Sequence, residues 1–255
     1  MFYSLSALSF LLTTGAADQA ETWATLDSST RTKLKKTYNA AGIKVIVSAF
    51  GSTETPTTSG KDPVAVAKQM ASWVKKYGLD GIDVDYEDEG AMNAGNGKAE
   101  NWLETFTKTL RSQLPQGQYI LTHAPLAPWF GTTGYKSGAY LAVDKSVGSM
   151  IDWYNVQFYN QNDYTSCDSL LTKSGTTFPK TSLFEIAASG IELNKLVIGK
   201  PASSTDASNG FIETGTLATC LLQAKKKNWN AGAMYPHGDS AWITAVRAHA
   251  FPAGK

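Results

Sequence analysis

The residues best equipped for chemistry lie together in Asp80-Gly81-Ile82-Asp83-Val84-Asp85-Tyr86-Glu87, a D-x-x-D-x-D-x-E pattern. In an extended strand, residues two apart share a face. Asp83, Asp85 and Glu87 therefore project together, while Ile82, Val84 and Tyr86 project the other way onto something apolar. Asp80 has the wrong parity for the row and suits the loop that enters the strand. Three carboxylates on one face repel one another, and the usual uses of such a row are proton transfer or cation binding. An EF-hand loop needs glycine at its sixth position. Counted from Asp83, that position is Asp88. A magnesium phosphotransfer site would want a phosphate-cradling loop, and none accompanies the motif. His123, His237 and His249 show no common ligand spacing and read as structural. On its own, the row leaves both an enzyme and a metal-binding protein open.

The elements that must position the row follow from alternation. Apolar, strand-like runs occur at Leu5–Leu12, Ile43–Phe50, Gly81–Tyr86, Tyr119–His123, Trp153–Phe158, Leu196–Gly199 and Ala231–Tyr235. Amphipathic, helix-like stretches lie between them, near Ser29–Ala41, Pro63–Tyr77, Ala99–Leu114, Ala142–Val147, Leu183–Ser189, Thr216–Lys227 and Ala241–His249. Asp62 before Pro63 makes a helix start, and Gly42 and Gly78 stand where C-cap glycines belong. A βα repeat with nearly continuous apolar strands indicates a parallel sheet covered on both faces. Seven strands in 255 residues without a linker favour one α/β domain over 1–255, a (β/α)8 TIM barrel. The open doubly wound alternative usually shows G-x-G-x-x-G after its first strand, and Leu12-Thr13-Thr14-Gly15-Ala16-Ala17 does not. In barrels, chemistry gathers where strands end. Glu87, Gln157-Phe158-Tyr159-Asn160 and His123 to Phe130 all fall at such ends.

Composition narrows the partners. The 23 basic and 22 acidic residues give a net charge of +1, which speaks against a nucleic-acid binder. Lys225-Lys226-Lys227 ends a helix-like stretch, where cations complement the dipole. Cys167 and Cys220 are too few for a zinc cluster; they form either one bridge or two buried thiols. The start, Met1–Leu12 with small residues around Gly15-Ala16-Ala17, looks like a secretory signal, but no Lys or Arg precedes its apolar stretch, and a buried strand fits better. No apolar run reaches the ~20 residues that cross a bilayer. Trp23, Trp73, Trp102 and Trp242 sit on helix-like stretches and read as packing residues.

Three segments bring the chain to a family. Leu79 to Glu87, LDGIDVDYE, resembles the signature of glycoside hydrolase family 18, which includes chitinases and endo-β-N-acetylglucosaminidases. Val47-Ser48-Ala49-Phe50-Gly51 is similar to the family's S-x-G-G strand, with Phe50 in place of the first glycine. Trp153 to Asn160, with Gln157-Phe158-Tyr159-Asn160, resembles the Q-F-Y-N strand of plant class III chitinases and fungal endoglycosidases. The likeness is particularly close to fungal members. It makes Leu5–Leu12 the second barrel strand, with no room in this chain for the family's first. It also expects a tryptophan at the end of the last strand, where this chain has Ala231 to His237 with Tyr235.

The resemblance implies the site. Glu87 becomes the proton donor and later the base that activates water, which needs a carboxyl pKa raised by burial or like charge. The family needs no carboxylate nucleophile, because the substrate's own 2-acetamido oxygen attacks the anomeric carbon. Asp85 would hold the acetamido N–H and steady the oxazolinium intermediate. Asp83 would share a proton with Asp85, the pair titrating jointly. Tyr159 would donate to the acetamido oxygen, Gln157 and Asn160 would bind the sugar, and Trp129, with Phe130, would either stack on sugar rings or pack in the core. No cofactor or metal is implied. The implied protein is an extracellular monomer acting on chitin or N-glycan carbohydrate, with neither nucleic acid nor membrane as partner. A chitinase is the leading expectation and an endo-β-N-acetylglucosaminidase its rival. A non-catalytic chitinase-like lectin is the reading from another class, and such relatives commonly lose the acid that Glu87 supplies here.

Overall fold

The computed structural model describes residues 4–235 and 240–252. Elements follow in chain order as β1 (Ser4–Leu12), β2 (Gly15–Ala16), α1 (Asp18–Thr25), α2 (Ser28–Ala40), β3 (Ile43–Phe50), α3 (Pro63–Lys76), β4 (Gly81–Asp85), α4 (Glu89–Asn93), α5 (Lys98–Gln113), β5 (Ile120–His123), α6 (Ala139–Val147), β6 (Trp153–Gln157), α7 (Cys167–Leu171), α8 (Leu183–Ala188), β7 (Leu196–Gly199), α9 (Thr214–Lys226), β8 (Ala233–Met234) and α10 (Ser240–Arg247). Two compact units emerge, one of Met1–Ala124 with Ala142–Asp152 and one of Pro125–Leu141 with Trp153–Lys255.

In the first unit the strand order is β2-β1-β3-β4-β5, and all pairings are parallel except the β1–β2 hairpin. The apolar parity of β4 is realised: Ile82, Val84 and Tyr86 are fully buried. Helix α5 buries Ala99, Trp102, Leu103, Phe106 and Leu110, the three-and-four spacing of one helix face, and packs beside α3. Asp62 caps α3 by accepting from the Val64 amide at 3.0 Å, with Pro63 in the first turn. Gly42 and Gly78 follow α2 and α3 with φ of 71° and 67°, the left-handed turn expected of helix-terminating glycines.

In the second unit β6, β7 and β8 run parallel in that order. Strand β8 is two residues long where alternation predicts Ala231–Tyr235; Gly232 just ahead of it takes φ 123°, and its carbonyl accepts from the Ile198 amide of β7 at 3.0 Å. Trp229 lies fully buried and donates its indole N–H to the Leu196 carbonyl at 2.7 Å, fixing the approach to β7. Cys167 and Cys220 form a disulfide joining α7 to α9, which settles the open cysteine alternatives in favour of the bridge. Among the described residues, no helix is long and apolar enough to cross a membrane.

Candidate active site

Register explains how the acidic row is held. Ser48 of β3, Asp83 of β4 and Thr122 of β5 are Cα partners across three parallel strands, so their side chains stand abreast on one face. Ser48 donates to one Asp83 carboxylate oxygen at 3.0 Å and Thr122 to the other at 2.5 Å. Asp83 and Thr122 are buried, Asp83 at 4% exposure, whereas Asp85 and Glu87 further along are half-buried. The row thus runs from a buried, hydroxyl-bound carboxylate outward to groups within solvent reach. Asp80, at the other end of β4, accepts from the Val45 amide at 2.8 Å and pairs with Lys35, the structural role its parity predicts.

Strand β4 ends at Asp85, whose carbonyl accepts from the Gly51 amide at 2.9 Å. Glu87 lies two residues beyond, on a segment pinned by its neighbours. Tyr86 donates to the Thr57 hydroxyl at 2.7 Å, and burial pushes its phenol well above the usual tyrosine range. Asp88 is fully buried; it accepts from the Thr58 amide at 2.7 Å and hydroxyl at 2.6 Å and caps α4 through the Ala91 amide. Tyr86 and Asp88 therefore clamp the loop after β3 on either side of Glu87. In the sequence, the only trace of this clamp is an aspartate just before a short helix.

Phe50 ends β3 with φ 76°, a left-handed conformation that a side chain adopts only at a cost, and Gly51 follows with φ 78°. The position where the family pattern has glycine is thus one whose backbone asks for it. Phe50 tolerates the conformation because its ring is fully buried against Trp102 and Phe106, with centroids 5.7 and 5.4 Å away. His123, at the end of β5, is fully buried with its ring nitrogen 3.2 Å from the Thr107 hydroxyl. Burial, with Arg111 adding to it, holds its pKa at about 3, so the imidazole is neutral and structural.

In the second unit Gln157, the last residue of β6, is buried, and Tyr159, two residues beyond the strand, is half-buried. The Gln157 amide donates to the Pro125 carbonyl at 2.9 Å. Asn160 is exposed, and its side-chain oxygen accepts from the Ser208 amide at 2.8 Å and hydroxyl at 3.0 Å. Trp129 corrects the sugar-platform reading. It is 1% exposed and stacks on Tyr140 at 5.9 Å and 4°, beside Phe130, itself fully buried against Tyr154. A ring so enclosed offers no face to a sugar and belongs to the core. The Tyr235 ring lies 4.3 Å from that of Trp242 at a 31° tilt, while His237 lies outside the described residues.

A parallel α/β fold with carboxylates on and just beyond one strand suits a hydrolase or a cation site, and comparison with known proteins decides the family. The family model of glycosyl hydrolases family 18 matches residues 7–244, and the chain belongs to that family. Exochitinase 1 of Streptomyces olivaceoviridis is 25% identical over 240 residues, covering 80% of this chain and 39% of that protein. The present chain thus spans well under half the length of that relative. A probable class II chitinase of Arthroderma benhamiae is 25% identical over 237 residues, 80% of this chain and 70% of its own. Among solved structures, a GH18 chitinase from Pseudoalteromonas aurantia superposes with a TM-score of 0.79 at 27% identity, over 97% of this chain and 92% of that one. Proteins named as chitinases are thus among its relatives.

Proposed function

We propose that this protein hydrolyses β-1,4 linkages after N-acetylglucosamine with retention, most simply as a chitinase built on a (β/α)8 barrel. The observation that carries the reading is the graded acidic row, buried and hydroxyl-bound at Asp83 and half-buried at Asp85 and Glu87. Glu87 protonates the glycosidic oxygen as the bond breaks. The substrate's acetamido oxygen closes on the anomeric carbon to give an oxazolinium ion, so the protein supplies no nucleophile of its own. Asp85 accepts the acetamido N–H and offsets the positive charge of that ion. Asp83, already receiving two hydroxyl hydrogen bonds, manages the charge of the pair. Glu87, now ionised, takes a proton from the water that opens the oxazolinium. Tyr159 donates to the acetamido oxygen and Gln157 contributes to sugar binding. Asn160 serves chiefly to fix its loop through Ser208. The disulfide suits an oxidising, extracellular compartment.

The test sets the protein beside Glu87→Gln on chitin oligosaccharides and on a high-mannose glycoprotein. Cleavage of the oligosaccharides, with the variant slower by roughly 10²–10⁴-fold, is expected. Cleavage of the glycoprotein alone would reassign the protein as an endo-β-N-acetylglucosaminidase. Binding without turnover would make it a lectin, and full activity in Glu87→Gln would remove Glu87 from its role.

A further inference from the structure

Lys200 follows β7 and is fully buried, an environment in which a lysine needs a specific reason to be kept. Its amine donates to two main-chain carbonyls, Phe158 at 2.6 Å and Tyr164 at 2.9 Å. Those carbonyls bracket residues 159–163, the loop that begins with Tyr159. The lysine is itself fixed, its amide donating to the Met234 carbonyl at 3.0 Å while Phe158 donates to the Gly199 carbonyl at 3.2 Å.

The bracketed loop needs holding. Asn160, Asn162 and Tyr164 take left-handed φ values of 68°, 56° and 60°, conformations that persist only where the surroundings over-determine them. A second strap comes from 208–210. The Asn160 amide donates to the Asn209 carbonyl at 3.1 Å and the Asn162 amide to the Asn209 side-chain oxygen at 2.7 Å. Gly210, at φ 93°, lies so close that a Cβ there would meet the Tyr159 Cα at 2.7 Å.

We propose that Lys200 is a positioning residue for Tyr159: its amine ties together the two ends of the Tyr159 loop and so fixes where the Tyr159 hydroxyl is presented. The assignment rests on Tyr159 being the substrate-binding tyrosine. The charge state of the amine sets the strength of the tie, because a charged donor makes bonds roughly twice as strong as a neutral one. Burial lowers the Lys200 pKa to about 7, with Asp163 pulling the other way. Asp163 is engaged by the Tyr164 and Gly175 amides at 2.7 and 2.5 Å. The other titratable groups of this region are spoken for in their own bonds. The Tyr164 phenol pairs with the Thr181 hydroxyl at 2.6 Å, with Tyr135 acting on it electrostatically, and Glu185 accepts from Ser174 and Ser182. For a local opening that frees the loop while the amine stays buried, the tie is therefore tight below pH 7 and loosens as pH rises through that value. Global unfolding, which returns the amine to water, has the opposite sense. The unfolded lysine keeps its proton to pH 10.5 while the folded one sheds it near 7, so the cost of burying the charge is relieved as pH rises between those values.

Two readouts test this. Hydrogen-exchange protection factors of residues 159–164 are expected to fall about tenfold in Lys200→Met, and in the wild type as pH rises through 7, with distant strands unaffected. Unchanged protection in both cases overturns the tie, and the wild-type arm stands even if the variant fails to fold. On chitin oligosaccharides, Lys200→Met lowers kcat about tenfold in the wild-type background but less than about twofold in Tyr159→Phe, because the two act as one unit. An ionisation near pH 7 disappears from the kcat profile in both Lys200→Met and Lys200→Arg. Equal losses in both backgrounds, or an unaltered profile, overturn the positioning role. If the loop loosens as expected while the wild type cleaves nothing, the hydrolase reading falls and the tie stands.

Discussion

At the scale of single residues, position rather than type decides what a group does. Three aspartates and a glutamate lie within eight residues of chain. Asp80 braces a strand start, Asp83 is dressed by two hydroxyls, and Asp85 and Glu87 stay half-buried. Phe50 shows the same principle through its backbone. Its left-handed φ is a penalty of ~1–2 kcal/mol for any residue with a Cβ, offset by aromatic packing. Phe50→Ala keeps the penalty and loses the packing, at a cost of ~3–5 kcal/mol. Phe50→Gly also loses the packing but removes the penalty, so it should be more stable than Phe50→Ala by about 1 kcal/mol, reversing the usual order in strands. Denaturant unfolding of the pair checks this, and Ala more stable than Gly would deny the strain.

At the scale of elements, the strands were legible because alternation and apolar runs survive into the fold; Ile43–Phe50 and Leu196–Gly199 match their predicted bounds. What escaped was short. Helices α4 and α7 have five residues each, too few to show a period, and α7 is capped by a Ser166–Ser169 pair without the usual acidic residue. Trp129 was legible as an aromatic near a strand end but not as buried, since burial depends on Tyr140, which arrives from the chain beyond it. Lys200 looked like one lysine among many, because only the fold reveals which carbonyls it meets. The disulfide was legible only as one of two alternatives, a bridge or two buried thiols. It closes a separation of 53 residues, and chain entropy then assigns it about 4 kcal/mol. A Cys167→Ser, Cys220→Ala double variant should lose about that much in denaturant unfolding. An unshifted midpoint would mean that the cross-link does not constrain the unfolded chain.

For the whole molecule, the parallel α/β architecture and the family membership agree with the D-x-x-D-x-D-x-E row. The row could have served a metal or a sugar, and the proposed function rests on a division of labour in which Glu87 would move the proton, Asp85 would steady the substrate's own nucleophile and Asp83 would manage the charge of the pair. That division requires the substrate to supply an acetamido group and requires two inversions at the anomeric carbon. Proton NMR of freshly released product from chitin oligosaccharides, taken before mutarotation, reads both requirements when run beside the fully de-N-acetylated oligosaccharide. The account predicts initial β-anomer from the acetylated substrate and no cleavage of the other. Initial α-anomer, or equal cleavage of the two substrates, would contradict it.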